Sequence, residues 1–367
     1  MKKIRDLGAL GSYLKNTFVR IFAFCLFHSR LLKIINHFIA NYQIRRNGNR
    51  IPDFPYVKRR RCKNVQILLY HRVHDDWDPF FPAISVDTFE KHLNFLASEF
   101  NICPLEEVIE QMNGYSVPDN AIVITFDDGY KDVYYNAFPI LQRLSIPATV
   151  FLTTGSIGSG NLLWHDTVFY AFRETQALFL EDFGNEGQIY PLRSLEEKLF
   201  AQKEILKFLW SLGEDERSYW IGRLVEMLDV SAEVNGSDLM LTWDEVRLMH
   251  ASGISFGSHT VSHPILSSLS ADRAQQEIYE SKRIIEEKLA VTVKTFAYPN
   301  GRKCDYNETT KSILKEAGYY CALTTIFGAN QNGQDLFELR RGGPWEEYLP
   351  AFAAKLNWYK FWHQDLV

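Results

Sequence analysis

From Val65 onwards the chain alternates short apolar runs with amphipathic segments of helical period. Apolar runs predict strands at 65–73, 121–126, 148–153, 254–260, 293–301 and 319–325. Helical periodicity with capping and stop signals predicts helices at 89–100, 136–145, 241–253, 270–290 and 308–318. Strands that alternate with helices are typical of parallel βαβ units, and their number favours a barrel or partial barrel over a small open sheet. Active residues are then expected at the carboxyl ends of the strands.

Two segments depart from this alternation. Residues 156–240 predict a helical insertion rich in aromatic and charged residues, which we expect to form a lid or wall beside the site. Residues 1–64 carry 15 Lys and Arg against two acids, a charge of +13, whereas the whole chain carries −5. We therefore divide the chain into a basic leader and linker (1–64), a catalytic domain (65–345) and a C-terminal helical tail (346–367).

A basic extension on an acidic body commonly meets an anionic surface. Apolar residues at helical spacing over 31–39 favour an amphipathic helix on anionic lipid, and a helix packed on the body explains them equally well. The apolar run 21–27 is far shorter than the roughly 20 residues that span a bilayer, and no cleavage site follows. The expected location is therefore cytoplasmic, peripheral on the inner face of the membrane. Nucleic acid is not an expected partner, because no recognition module accompanies the charge.

Polar residues of unusual type follow three of the predicted strands. "ITFDDGY" places Asp127 and Asp128 after one strand, "SFGSHTVSH" places His259 and His263 after another, and "FAYPNG" ends a third. Two imidazoles and one carboxylate are a common zinc ligand set that leaves a position for water. The second carboxylate would then be free to take a proton from water activated by the metal. Each motif alone is ordinary, but strand ends that share one face would bring the motifs together.

The three motifs "TFDDGY", "HTVSH" and "FAYPNG" resemble those of the NodB-homology polysaccharide deacetylases, carbohydrate esterase family 4, over about residues 65–341. The resemblance implies an α/β fold, a distorted (β/α)-barrel, here with the helical insertion and the basic extension. It also implies hydrolysis of an N-acetyl or other N-acyl group on an amino sugar of a poly- or oligosaccharide. The residue roles that it implies are the base (Asp127), the ligands of a divalent metal, expected to be Zn²⁺ (Asp128, His259, His263), and an oxyanion-hole N–H (Asn300).

The chain departs from the family pattern at two places. Ala297 stands where the third motif often has an arginine that orients the base, so Arg340 or Arg341 of "LRRGGP" is the predicted substitute. The C-terminal Leu-x-His motif is absent, since "ALTT" ends in Thr325. "YHRV" after the first strand resembles the poly-N-acetylglucosamine deacetylase-like subgroup, which implies that His71 is the general acid. The alternative for His71 is a structural ring bonded to a loop carbonyl.

Other functions and substrates compete with this interpretation. A catalytically silent carbohydrate-binding or scaffold protein is slightly favoured by the missing arginine and acid motifs, but the intact base and the three metal ligands argue against it. A nucleotide-sugar glycosyltransferase would explain the Asp-Asp-Gly but not the histidine pair. A lipid-linked saccharide is an alternative to a free polymer, within cell-envelope polysaccharide metabolism. "WHD" at 164–166 predicts a buried tryptophan with a solvated His-Asp turn, or else a wall of a sugar groove.

Overall fold

The computed structural model describes residues 64–112, 117–231, 236–343 and 346–359. The predictions about residues 1–63 of the basic extension and 360–367 of the tail lie outside this part. Within it, no helix has both the length and the apolar character needed to cross a membrane.

The described strands are short and the helices are of ordinary length. The strands are β1 (Asn64–Tyr70), β2 (Asn101–Ile102), β3 (Ala121–Phe126), β4 (Thr149–Leu152), β5 (Phe179–Glu181), β6 (Ile189–Pro191), β7 (Ser255–Ser258), β8 (Thr295–Ala297), β9 (Cys321–Leu323) and β10 (Asn330–Gln331). The helices are α1 (Val86–Glu99), α2 (Leu105–Met112), α3 (Phe138–Leu144), α4 (Trp164–Glu174), α5 (Leu195–Trp210), α6 (Glu214–Met227), α7 (Trp243–Ala251), α8 (Ala271–Leu289), α9 (Glu308–Glu316) and α10 (Leu349–Tyr359).

Eight of the strands form one curled sheet in the order β10-β1-β3-β4-β7-β8-β9, with β2 beside β3. All pairs are parallel except β1 with β10. The segment 339–342 bridges β9 and β1 across the open side of the curled sheet, because Leu339 pairs with Leu323 on β9 and Gly342 pairs with Leu68 on β1. The predicted distorted (β/α)-barrel is confirmed.

Sequence patterns explain why these elements form. All six residues of β3 are buried, as expected for a parallel strand covered on both faces. Ser270 caps α8 by accepting a hydrogen bond from the backbone N–H of Arg273, and Thr242 forms a capping box with Glu245 at the start of α7. Every strand and helix predicted between residues 65 and 345 is present, although the strand predicted over 65–73 ends at Tyr70 and the one over 319–325 is confined to Cys321–Leu323.

The insertion packs around a hydrophobic cluster separate from those of the barrel. Val168, Phe172, Ile205 and Leu224 are among its fully buried members. Besides helices α4, α5 and α6 it contains the antiparallel hairpin β5–β6, which the helical prediction did not include. Phe80, from the loop after β1, also belongs to this cluster, so the insertion is attached to a loop of the barrel.

Candidate active site

The register of the parallel sheet brings the predicted site residues to one edge. Tyr70 on β1 pairs with Phe126 on β3, and Ser258 on β7 pairs with Phe296 on β8. The residues that follow these strands are therefore neighbours, as expected for the carboxyl ends of parallel strands. They are His71 after β1, Asp127 and Asp128 after β3, His259 and His263 after β7, and Asn300 after β8.

Asp128, His259 and His263 form a compact cluster of potential metal ligands. Oδ1 of Asp128 lies 3.5 Å from Nε2 of His259 and 3.5 Å from Nε2 of His263. Nδ1–H of His259 donates to the carbonyl of Ala297 at 2.7 Å, which leaves Nε2 as the atom that can bind a metal. Within the described part of the chain, Oδ1 of Asp128 has no hydrogen-bond partner. A buried carboxylate oxygen without a donor, facing two imidazole nitrogens, fits a divalent cation.

The electrostatics of these three side chains agree with this fit. Burial, with the nearby charges of Asp127 and Asp166, raises the pKa of Asp128 well above its ordinary value. Burial and the neighbouring imidazoles lower the pKa of His263 well below its ordinary value. Neutral imidazoles are the form that binds a metal, and a cation would favour the ionised form of Asp128.

Strained backbone surrounds this cluster. Asp128, Thr260, His263 and Asn300 all have positive φ, between 58° and 72°. Residues other than glycine rarely adopt this conformation, and it persists only where the surrounding structure imposes it. The strained positions lie in the loop that carries His259 and His263 and after the ends of β3 and β8.

Arg341 binds Asp127 through two parallel hydrogen bonds. Nη1 and Nη2 each donate to one carboxylate oxygen at 2.7 Å, and both side chains are almost fully buried. Burial alone would raise the pKa of Asp127, but the guanidinium, together with His259, outweighs burial and holds the pKa below its ordinary value. Of the two predicted arginines, Arg341 is therefore the one bonded to the expected base. Arg340 instead exchanges backbone hydrogen bonds with the side chain of Asn330.

His71 follows β1 beside Asp127, and Asn300 lies three residues after Ala297 at the end of β8. The backbone N–H of Asp127 donates to the carbonyl of Tyr70, so His71 leaves β1 next to Asp127. Burial lowers the pKa of His71 to about 4, against the opposing charge of Asp127. Asn300 follows Ala297, the residue that accepts the hydrogen bond of His259, and its carbonyl accepts from Oγ1 of Thr325 at 2.6 Å.

Glu277 on α8 holds the loop between the two histidines, a contact that the sequence patterns did not indicate. Its Oε2 accepts from the backbone N–H of Val261 at 2.8 Å and of Ser262 at 2.9 Å, and its Oε1 accepts from the hydroxyl of Ser262. Three hydrogen bonds to one carboxylate fix a strained loop whose ends carry both imidazoles.

The insertion contributes His165 and Asp166 to the wall of the centre. The hydroxyl of Tyr130 donates to Asp166 at 3.0 Å and lies 3.2 Å from Nε2 of His165, whose ring contacts that of His263 at 5.0 Å. The prediction of a solvated His-Asp turn is wrong, because Asp166 is 2% exposed and burial raises its pKa to about 7. The turn is buried because α4 docks on the barrel, a long-range contact that local polarity does not reveal.

Comparisons with known proteins agree with this geometry. The family model described as polysaccharide deacetylase matches residues 114–186 and 198–322, more than half of the chain. YxkH of Bacillus subtilis, named as a polysaccharide deacetylase, is 22% identical over 288 residues, which are 78% of this chain and 73% of that protein. The poly-β-1,6-N-acetyl-D-glucosamine N-deacetylase of Staphylococcus aureus is 27% identical over 146 residues, 36% of this chain and half the length of that enzyme.

Solved structures share the fold. IcaB from Ammonifex degensii superposes with a TM-score of 0.53 at 20% identity, over 80% of this chain and 96% of that one. The deacetylase PplD of Streptococcus pyogenes, solved in complex with acetate, gives a TM-score of 0.52 at 22% identity, over 76% and 92% of the two chains. The family match, the barrel and the clustered Asp-Asp and His-x-x-x-His motifs together show that this chain belongs to the polysaccharide deacetylase family.

Proposed function

We propose that this protein is a metal-dependent hydrolase that removes an N-acetyl, or another N-acyl, group from an amino sugar of a poly- or oligosaccharide. The observation that carries this proposal is the different environment of two adjacent carboxylates. Asp127 is ionised and held by Arg341, whereas Asp128 faces His259 and His263. A general base beside a cation site is one combination that hydrolyses an unactivated amide.

Asp128, His259 and His263 would hold the metal, and we propose zinc because catalytic zinc sites use this set of ligands. When bound, the ion supplies a Lewis acid that polarises the acyl carbonyl and lowers the pKa of water. His259 is oriented for this role by its hydrogen bond to Ala297, and His263 by the loop that Glu277 holds.

The residues around the cation site would carry the proton transfers. Asp127 accepts a proton from the attacking water, and the backbone N–H of Asn300 donates to the oxyanion of the tetrahedral intermediate. The carbon–nitrogen bond then breaks as His71 protonates the departing amine. Because its pKa is about 4, the ring of His71 is neutral at pH 7. His71 must therefore first receive the proton that Asp127 took from water, and then pass it to the amine. The products are a carboxylate and a free amino sugar.

The structure weakens one argument for a catalytically silent protein. That alternative drew on the missing third-motif arginine, and Arg341 makes the contact with the base that such an arginine would make. The glycosyltransferase alternative is disfavoured by membership in the deacetylase family, and it gives no role to His259 and His263.

The substrate and the location are also proposals. We propose a saccharide of the cell envelope, either a free polymer or a lipid-linked chain, and attachment to the inner face of the membrane through the basic residues 1–64. Attachment of this kind predicts that the protein sediments with membranes at low salt and is released at high salt. Recovery of the protein outside the inner membrane would contradict it.

The test of activity uses the purified full chain with candidate saccharides, and mass spectrometry to detect the released acid. Asp127→Asn and His259→Ala should each lower turnover at least about a hundredfold, because a base and a metal ligand are lost. Only His259→Ala should also lower the metal content. Near-normal turnover of Asp127→Asn would overturn the mechanism.

A further inference from the structure

The last residues of the insertion run antiparallel to the segment that follows Asp128. Two backbone hydrogen bonds, of 2.8 and 2.9 Å, join the segment 239–241 to Gly129 and Lys131, and Tyr130 lies in the bridge between them. Tyr130 is fully buried, with 0% of its surface exposed. The hydroxyl of a buried tyrosine needs a hydrogen-bond partner, because an unpaired polar group in the interior costs free energy. The insertion supplies that partner.

Two consecutive residues of α4 hold the hydroxyl of Tyr130. The hydroxyl donates to Oδ1 of Asp166 at 3.0 Å and lies 3.2 Å from Nε2 of His165. A hydroxyl has one proton and two lone pairs, so it can donate to the carboxylate and accept from the imidazole at the same time. The position of the Tyr130 side chain is therefore determined from the side of the insertion.

The group formed by Tyr130, His165 and Asp166 contacts two of the proposed metal ligands. Burial raises the pKa of Asp128, and a hydrogen bond from the Tyr130 side chain opposes that rise. The ring of His165 packs edge-to-face on the ring of His263, with the centroids 5.0 Å apart. Because Asp128 follows β3 and His263 follows β7, one group from the insertion braces ligands that come from two separate strands.

The charge of Asp166 also belongs to the surroundings of the cation site. Asp166 is 2% exposed, and its charge disfavours the ionised form of Asp128. A cation beside Asp128 offsets this repulsion, because it attracts both carboxylates. A buried acidic residue at this position of the insertion thus fits a centre that binds a metal, and it has no part in the proton transfers proposed above.

We propose that Tyr130, Asp166 and His165 are positioning residues, through which the insertion holds two ligands of the metal centre in place. The inference rests on the proposed function, because it concerns the metal that this function requires. It makes the insertion a part of the metal centre and not only a wall beside it.

The test measures the zinc affinity of the purified full chain by competition with a chromophoric chelator. Tyr130→Phe removes the hydroxyl and keeps the ring, and Asp166→Ala removes the acceptor that holds the hydroxyl. We expect each variant to bind zinc about 10- to 100-fold more weakly than the wild type, as is usual when a group that orients ligands is lost. Asp166→Asn keeps an oxygen that can accept from Tyr130, so it should bind zinc more tightly than Asp166→Ala.

Gln202→Ala is the matched control. Gln202 on α5 is 6% exposed and donates from Nε2 to the carbonyl of Phe80 at 3.1 Å, which is another buried hydrogen bond between the insertion and the barrel. We expect Gln202→Ala to bind zinc like the wild type. If it lost as much affinity as Tyr130→Phe, any loosening of the insertion would weaken the centre, and the specific role of the Tyr130 hydroxyl would be overturned.

The outcomes separate this inference from the proposed function. A wild type that binds zinc but releases no acid from any saccharide contradicts the proposed function, and the affinities of the variants still test the positioning role. Wild-type affinity in Tyr130→Phe, or equal affinities in Asp166→Ala and Asp166→Asn, would overturn the inference alone. A wild type that binds no zinc would overturn both.

Discussion

Arg341 binds both carboxylate oxygens of Asp127 at 2.7 Å, although 214 residues separate the two in the chain. Arg341 reaches Asp127 from the segment 339–342, which joins β9 to β1. The planar guanidinium fixes the direction of the carboxylate and also keeps it ionised. One residue thus decides both the orientation and the protonation of the proposed base.

Replacing this arginine should affect turnover more than substrate binding. In Arg341→Lys a single ammonium cannot reproduce the two parallel hydrogen bonds, so Asp127 should lose its orientation. We expect kcat to fall about 10- to 100-fold with little change in KM. The acid limb of the pH–rate profile should move to higher pH, because the pKa of Asp127 rises when the guanidinium is lost. Steady-state kinetics on a saccharide across pH, with Arg340→Lys as the control, measure both effects; unchanged kcat in Arg341→Lys would contradict the role.

Glu277 should determine how well the centre binds metal. In Glu277→Gln the amide oxygen can still accept from the N–H groups of Val261 and Ser262, but the negative charge that strengthens these hydrogen bonds is lost. We expect zinc affinity to fall at least about tenfold, as is usual when a group that orients ligands is altered. Competition with a chelator measures the affinity. Glu280→Gln, on the exposed side of the same helix, is the control, and equal affinities for both variants would show that the loop orders without Glu277.

His92 should make stability depend on pH. The ring is fully buried, stacks on Phe352 with centroids 3.7 Å apart, and donates from Nε2 to the carbonyl of Glu346 at 2.9 Å. Burial lowers its pKa to about 4 in the folded protein, against about 6.5 when unfolded, so the unfolded state binds the extra proton. The free energy of unfolding is therefore highest above about pH 6.5, where the ring is neutral in both states. It decreases by up to about 3 kcal/mol as the pH falls towards 4, because the unfolded state is stabilised by protonation of His92.

Urea unfolding of the wild type and of His92→Gln at a series of pH values tests this linkage. The variant lacks the titrating ring, so the difference in unfolding free energy between the two proteins should shrink as the pH falls below about 6.5. A difference that stays constant with pH would show that His92 does not titrate on unfolding.

Gly129 follows the two aspartates in a left-handed conformation, with φ of +89°, and a Cβ there would lie 2.8 Å from Ile157 and 2.9 Å from Leu152. Gly253 has φ of +94° but open space around it, so Gly253→Ala is a control that measures the cost of the backbone conformation without any steric clash. In Gly129→Ala and Gly253→Ala the strained backbone conformation should lower the free energy of unfolding by about 1 kcal/mol. In Gly129→Ala overpacking against Ile157 and Leu152 should lower it by about 1–3 kcal/mol more. Denaturant unfolding measures both variants. Equal losses would mean that Ile157 and Leu152 move aside without cost.

Local sequence patterns were enough to predict the strands and helices of the barrel. They also predicted the edge of the sheet at which the candidate site residues lie. The buried run of β3 and the capped periodicity of α8 follow from side-chain spacing alone, since each depends on nearest neighbours in the chain. The expectation that Asp128 and His259 meet also came from the sequence, because parallel strands place their carboxyl ends on one edge. The hairpin β5–β6 escaped prediction because three-residue strands carry too little periodicity to be distinguished from loop.

The choice between Arg340 and Arg341, and the burial of Asp166, were decided only by the tertiary structure. Successive residues of an extended segment point to opposite sides, so the register of 339–342 between β9 and β1 determines which arginine reaches Asp127. Asp166 is polar and follows a histidine, which predicts solvent exposure from composition, yet docking of α4 buries it against Tyr130. Both outcomes depend on contacts between segments distant in the chain, and the pattern of any one segment does not contain them.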